Sequence, residues 1–130
     1  EANLFQDIAG IDRSDRDHSA SRETFNDLKH VITNYPDSKY AADSRKRMID
    51  IKSRLAKYEL SVANFYLKRE AYASAANRGR YILEYFTPSP EVEPALEIMV
   101  ECYDKLGLVD LKKNTLQVLA ANYPNNSLVK

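Results

Sequence analysis

Two arginines alternate with three aspartates in a short polar segment near the start of the chain: Asp12, Arg13, Asp15, Arg16 and Asp17. Arginine and aspartate form strong bidentate ion pairs, because the planar guanidinium fork matches the two oxygens of a carboxylate. The segment shows no apolar period, so we expect it to be a loop. Its ion pairs can fix the loop against its own protein or offer forked donors to a partner, and the residues leave both interpretations open.

A second candidate for polar recognition is Arg78, which follows Asn77 in a stretch with a helical pattern. One interpretation is a surface arginine whose aliphatic stem packs on neighbouring side chains. The other is an interface anchor, since arginine is enriched at the energetic centres of protein interfaces and Asn77 can add a directional hydrogen bond.

Catalytic and metal-binding patterns are absent from the sequence. His18 and His30 have no cysteine or second histidine at ligand spacing, and no phosphate-binding glycine loop, nucleophile elbow or H-E-x-x-H motif occurs. Cys102 lies between Val100 and Tyr103 in a helical pattern, which favours a buried, unreactive thiol. We therefore expect a protein that is not an enzyme and has no cofactor.

Charge and hydropathy exclude further classes of partner. Lys plus Arg and Asp plus Glu both total 19, so long-range attraction to nucleic acid or to an anionic membrane is not expected. No apolar stretch approaches the roughly 20 residues of a membrane span. The basic cluster at 45–47 is interrupted by nearby Asp43, Asp50 and Glu59, which favours an exposed, ion-paired helix face over a site for an acidic partner.

Proline corners divide the chain into helical segments. Tyr35-Pro36 and Tyr123-Pro124 each close a run of helix-forming residues, and Phe86-Thr87-Pro88 lies between them. Counted back from Pro124, apolar residues and one glycine fit the two helices and the turn of a tetratricopeptide (TPR) unit: Leu96, Met99, Val100, Tyr103, Gly107, Leu116 and Leu119. We predict an all-α TPR solenoid, one domain over 1–130 with about three repeats at 1–37, 38–88 and 89–126.

One helix should be unusually long. Between Ser38 and Arg69 no glycine or proline occurs, and the apolar positions alternate three and four residues apart: Met48, Ile51, Leu55, Tyr58, Val62 and Phe65. A second helix of the same repeat is predicted from Tyr72 to about Tyr85, with Gly79 marking a close backbone contact. The turn between them lacks the usual glycine, because Glu70-Ala71 stands in its place.

Three clusters carry a family resemblance. They are Gly10 through Asp17, then Tyr35-Pro36-Asp37-Ser38 with Arg54 through Glu59, and then Ser61 through Tyr66 with Ala71-Tyr72 and Ala76-Asn77-Arg78. In this order they resemble the BamD family, the tetratricopeptide lipoproteins of the β-barrel assembly machinery in Gram-negative outer membranes. The resemblance covers essentially the whole chain, as the carboxy-terminal repeats of a longer protein. The lipidated amino-terminal cysteine and the first repeats of that family are not expected within it.

The resemblance implies a scaffold at the periplasmic face of the outer membrane, tethered by lipid, that helps BamA fold and insert β-barrels. It implies that these repeats bind the membrane-proximal POTRA domain of BamA and contact BamE, with BamC a further partner. Arg78 would meet the POTRA domain, with Asn77 and Tyr72 nearby, and the Asp12–Asp17 loop would fix the third repeat. The alternatives are a TPR receptor for peptide tails, or another periplasmic adaptor, and a catalytic module with an unrecognised site.

Overall fold

The computed structural model describes residues 22–130, and every regular element in this range is an α-helix, which confirms the predicted all-α class. The described elements are α1 over 22–34, α2 over Lys39–Lys68, α3 over Tyr72–Tyr85, α4 over Val92–Lys105 and α5 over Val109–Asn122. None of these helices has both the length and the apolar character needed to cross a membrane.

The chain forms two compact units, and the boundary between them falls within α2, between Tyr58 and Glu59. In the first unit the apolar residues of α1 are partly buried: Phe25, Leu28, Val31 and Ile32. The Ser38 hydroxyl accepts a hydrogen bond from the Ala41 amide at 3.1 Å, which caps the start of α2. The proposed repeat boundaries stay a prediction.

Helix α2 has 30 residues, so at 1.5 Å per residue it is about 45 Å long. The predicted apolar stripe is on its buried side: Ile51, Leu55, Tyr58 and Val62 are buried, and Met48 and Phe65 are partly buried. The long helix predicted between Ser38 and Arg69 is therefore confirmed to within one residue at each end.

In the second unit, two turns share one hydrogen-bond pattern. The Ala71 amide donates to the Tyr66 carbonyl at 2.9 Å, and the Leu108 amide donates to the Tyr103 carbonyl at 2.9 Å. This is the Schellman ending of a helix, which requires a left-handed residue just before the donor. Gly107 supplies it with φ of +72°, and Glu70 supplies it with φ of +59°. The turn thus forms at Glu70 without glycine, although a side chain is strained in this conformation.

Helix α3 packs on α4, and α4 packs on α5, around one apolar core. Four of the seven positions that the repeat spacing selected are buried in this core, namely Leu96, Met99, Tyr103 and Leu119, and Leu116 packs against it. The other buried core residues include Ala63, Ala75, Ala76 and Cys102. At Gly79 an added Cβ would lie 2.8 Å from Met99 Cγ and 3.2 Å from the Ala95 carbonyl oxygen. The close approach predicted at Gly79 is confirmed, and it is an approach to the backbone of α4.

The segment after α5 is held to α4 by a buried asparagine that sequence analysis did not select. Asn126 Nδ2 donates to Glu93 Oε2 and to Glu97 Oε1, both at 3.0 Å. Its side-chain oxygen accepts a hydrogen bond from the Leu128 amide at 2.9 Å. These bonds satisfy a polar group that would be costly to bury alone.

We expect Glu70→Gly to raise the free energy of unfolding by about 1 kcal/mol, because glycine adopts the left-handed conformation without a Cβ clash. Gly107→Ala should lower it by about the same amount, since the added Cβ meets no neighbouring atom within 4 Å and only the backbone strain counts. Urea denaturation followed by helical circular dichroism measures both. Glu70→Ala is the control and should give no gain, because it keeps the Cβ.

Candidate functional site

The sequence places its candidate residues in two parts of the chain, and the structure describes one of them. Asp12, Arg13, Asp15, Arg16 and Asp17 lie outside the described residues 22–130, so their predicted roles stay predictions. Tyr72, Asn77 and Arg78 all belong to α3.

The three α3 residues differ in their surroundings. Asn77 is exposed, Arg78 is partly buried, and Tyr72 packs against the core of the second unit. Tyr72 therefore has a clear packing role at the start of α3. Asn77 and Arg78 are therefore the stronger candidates for contact with another molecule.

An ion pair joins Arg78 to the preceding helix. Arg78 Nη1 donates to Glu59 Oε2 on α2 at 2.6 Å. The Glu59 side chain has no exposed surface, whereas 34% of the Arg78 side chain remains exposed. The geometry is a charge-assisted hydrogen bond between a buried acceptor and a donor that reaches the surface.

The burial of Glu59 corrects one interpretation of the sequence. Together with Asp43 and Asp50, it was expected to lie on an exposed helix face among the basic residues near 45–47. Asp43 and Asp50 are exposed, but Glu59 is fully buried. The available signal was its position: Glu59 follows Leu55 by four residues and precedes Val62 by three, which places it within the apolar stripe.

Aromatic rings continue this face of α3. The Arg78 guanidinium carbon lies 6.0 Å from the Tyr81 ring centroid, at the outer limit of a cation–π contact. The Tyr81 ring lies 4.7 Å from Tyr85 and 5.9 Å from Phe86, measured between centroids. Arg78, Tyr81 and Tyr85 are three and four residues apart, so they follow one side of the helix. Arginine and tyrosine are among the residue types enriched at the energetic centres of protein interfaces.

The second hairpin, formed by α4 and α5, has no ion pair at the positions that correspond to Glu59 and Arg78 in the first hairpin, formed by α2 and α3. The interval from Glu59 to the turn residue Glu70 equals the interval from Leu96 to Gly107. Counted in the same way, Arg78 corresponds to Thr115, and both Leu96 and Thr115 are buried. A helical hairpin of this kind therefore folds without an ion pair at these positions. The Glu59–Arg78 ion pair between α2 and α3 needs an explanation other than the formation of the hairpin.

The remaining reactive groups of the described region are structural. Cys102 is a free, fully buried thiol, as predicted. Burial raises the pKa of this thiol from 9.0 to about 11, with a smaller contribution from the negative charge of Glu101. Little thiolate is therefore present at neutral pH. Among residues 22–130, no three histidine, cysteine or acidic side chains form a group that could hold a metal ion.

Comparison of the sequence with known proteins identifies the family to which the chain is similar. Residues 2–125 match the YfiO model, described as an outer membrane lipoprotein. The chain is similar to proteins named outer membrane protein assembly factor BamD. It shares 38% identity with the Vibrio cholerae protein, over 94% of this chain and 51% of that relative.

Two further relatives with the same name give a similar picture. The Xylella fastidiosa protein (strain Temecula1) is 38% identical over 95% of this chain and 42% of its own length. The Neisseria meningitidis serogroup A protein is 37% identical over 97% of this chain and 47% of its own length. The chain thus spans about half the length of these relatives.

We expect Arg78→Leu to lower the free energy of unfolding by about 3 kcal/mol, because it removes the cation that compensates the buried Glu59 carboxylate. The double variant Glu59→Leu/Arg78→Thr copies the pair found in the second hairpin and should recover most of that loss. Urea denaturation of both variants measures the difference. Equal losses in the single and the double variant would show that the ion pair does not account for the burial of Glu59.

Proposed function

This chain belongs to the YfiO family of outer membrane lipoproteins, and we propose that it is a non-catalytic scaffold in the assembly of outer membrane β-barrel proteins. The names of the matched relatives, which describe an assembly factor, support this proposal. The stacked hairpins of the second unit support it as well, because repeated helical hairpins present preformed surfaces to other proteins. On this proposal the chain works at the periplasmic face of the outer membrane.

The finer proposal is that α3 docks the membrane-proximal POTRA domain of BamA through Arg78. One observation carries it: the Arg78 guanidinium is held by a buried carboxylate, and yet one third of the Arg78 side chain remains exposed on a packed helix. A partner carboxylate that reaches this guanidinium would form a charge-assisted bond without first having to order a free side chain. Asn77 is exposed beside it and can add a hydrogen bond at the edge of the contact.

Contacts with BamE and BamC are further parts of the proposal, and no described residue is assigned to them. A TPR receptor for peptide tails is the alternative function. Such a receptor usually needs a cationic clamp for the terminal carboxylate on the inner helices. Binding of a short free peptide whose affinity collapses when its carboxylate is amidated would favour this alternative over POTRA docking.

We expect the soluble POTRA region of BamA from the same organism to bind this chain saturably in calorimetry, and the double variant Glu59→Leu/Arg78→Thr to bind at least about tenfold more weakly. The double variant is preferable to Arg78→Glu, which would place a second carboxylate against the buried Glu59 and confuse loss of docking with loss of folding. Circular dichroism of the double variant verifies that its helices are retained.

Lys113→Thr is the matched control, because it removes an exposed cation from α5 and should leave the affinity within about twofold. Full-strength binding by the folded double variant would contradict Arg78 as the docking residue. Absence of binding by the wild-type chain would contradict the POTRA proposal as a whole.

A further inference from the structure

The side chains of Glu59 and Arg78, which form the ion pair, differ in their exposure to solvent. Glu59 comes from α2, which precedes α3 in the hairpin, and its side chain is completely enclosed. Arg78 reaches it across the helix interface with Nη1, while a third of the Arg78 side chain is exposed. A partner that approaches α3 can therefore contact the Arg78 side chain but not the enclosed Glu59 carboxylate.

The bond to Glu59 reduces the conformational freedom that the Arg78 side chain would lose on binding a partner. A free arginine side chain samples many rotamers, and this freedom is lost when it enters an interface. The 2.6 Å bond to Glu59 restricts these rotamers before any partner arrives. Helix α3 is itself fixed against α4 at Gly79, where the Ala95 carbonyl is in close contact. The position of the guanidinium is thus set by two packed helices.

An ion pair at this site also has an energetic cost that apolar packing would avoid. Burying a carboxylate carries a desolvation penalty, and apolar side chains often replace buried ion pairs without loss of stability. The same chain uses that solution in its second hairpin, where Leu96 and Thr115 stand at the corresponding positions. Stability alone therefore does not explain why α2 and α3 carry a glutamate and an arginine there.

We propose that Glu59 is a positioning residue for docking: its buried carboxylate fixes the orientation of the partly exposed Arg78 side chain, through which Arg78 binds a carboxylate of the partner. The inference rests on the proposed function and adds to it a residue that never touches the partner. It also gives a direction of effect, because a glutamate that merely competed with the partner carboxylate would weaken docking instead of supporting it.

The test is Glu59→Gln, which keeps the side-chain size and one acceptor oxygen but removes the charge. Calorimetry against the soluble POTRA region should show binding about three- to tenfold weaker than wild type, the range expected when one rotamer-rich side chain loses its order. Glu101→Gln is the matched control, since Glu101 is an exposed glutamate on α4, and its affinity should be unchanged.

A second measurement reports the position of Arg78 without any partner. Nitrogen-15 spectra of the guanidinium should show separate Nη signals in the wild-type chain, because the bond to Glu59 slows rotation about the terminal carbon–nitrogen bonds. In Glu59→Gln these signals should merge. A merely structural effect of the substitution would not be confined to this one guanidinium.

Unchanged or tighter binding of Glu59→Gln would overturn the inference while leaving POTRA docking intact. Unchanged Nη signals would overturn it as well, because Glu59 would then not be what restrains Arg78. If the wild-type chain itself does not bind, the proposed function fails and the inference fails with it. If Glu59→Gln loses its helical circular dichroism, Glu59→Asp replaces it; this variant keeps the charge on a shorter side chain, and its binding should be weaker than that of the wild-type chain.

Discussion

A carboxylate without access to water lies between α2 and α3, and the Arg78 guanidinium at 2.6 Å compensates its charge. Removing one partner of such a pair costs far more than removing both, because the remaining charge keeps its desolvation penalty. The register of α3 against α2 is therefore tied to this contact. Asn77 beside Arg78 and the neighbouring Tyr81 ring lie on the same helix, so their positions depend on that register as well.

The backbone supports the same arrangement from two directions. The turn at Glu70 ends α2 with the hydrogen-bond pattern that Gly107 gives to α4, so both hairpins reverse direction in the same way. On the other side of α3, Gly79 lets the helix approach the Ala95 carbonyl of α4. Helix α3 thus has little freedom to adjust to a partner, which suits a surface that acts by presenting fixed groups.

Sequence periodicity predicted the helices well and the polar contacts poorly. The alternating stripe from Met48 to Phe65 and the proline corners depend on local spacing, so α2 and α3 were predicted almost to the residue. Glu59 was misassigned because a charged residue is normally exposed, and its partner lies 19 residues away on another helix. Asn126 was overlooked for the same reason, since its acceptors on α4 are distant in sequence. Contacts of this kind depend on how helices pack, which the pattern within one helix does not contain.

Site-specific photo-crosslinking tests the central claim most directly, namely that the Arg78 face of α3 is the docking surface. Asn77 beside Arg78 and Asn114 beside Thr115 are exposed asparagines at corresponding positions of the two hairpins, so each can carry the same photoreactive residue. With the soluble POTRA region of BamA, a crosslink is expected from position 77 and not from position 114. Crosslinking from position 114 alone, or equally from both positions, would contradict docking through α3.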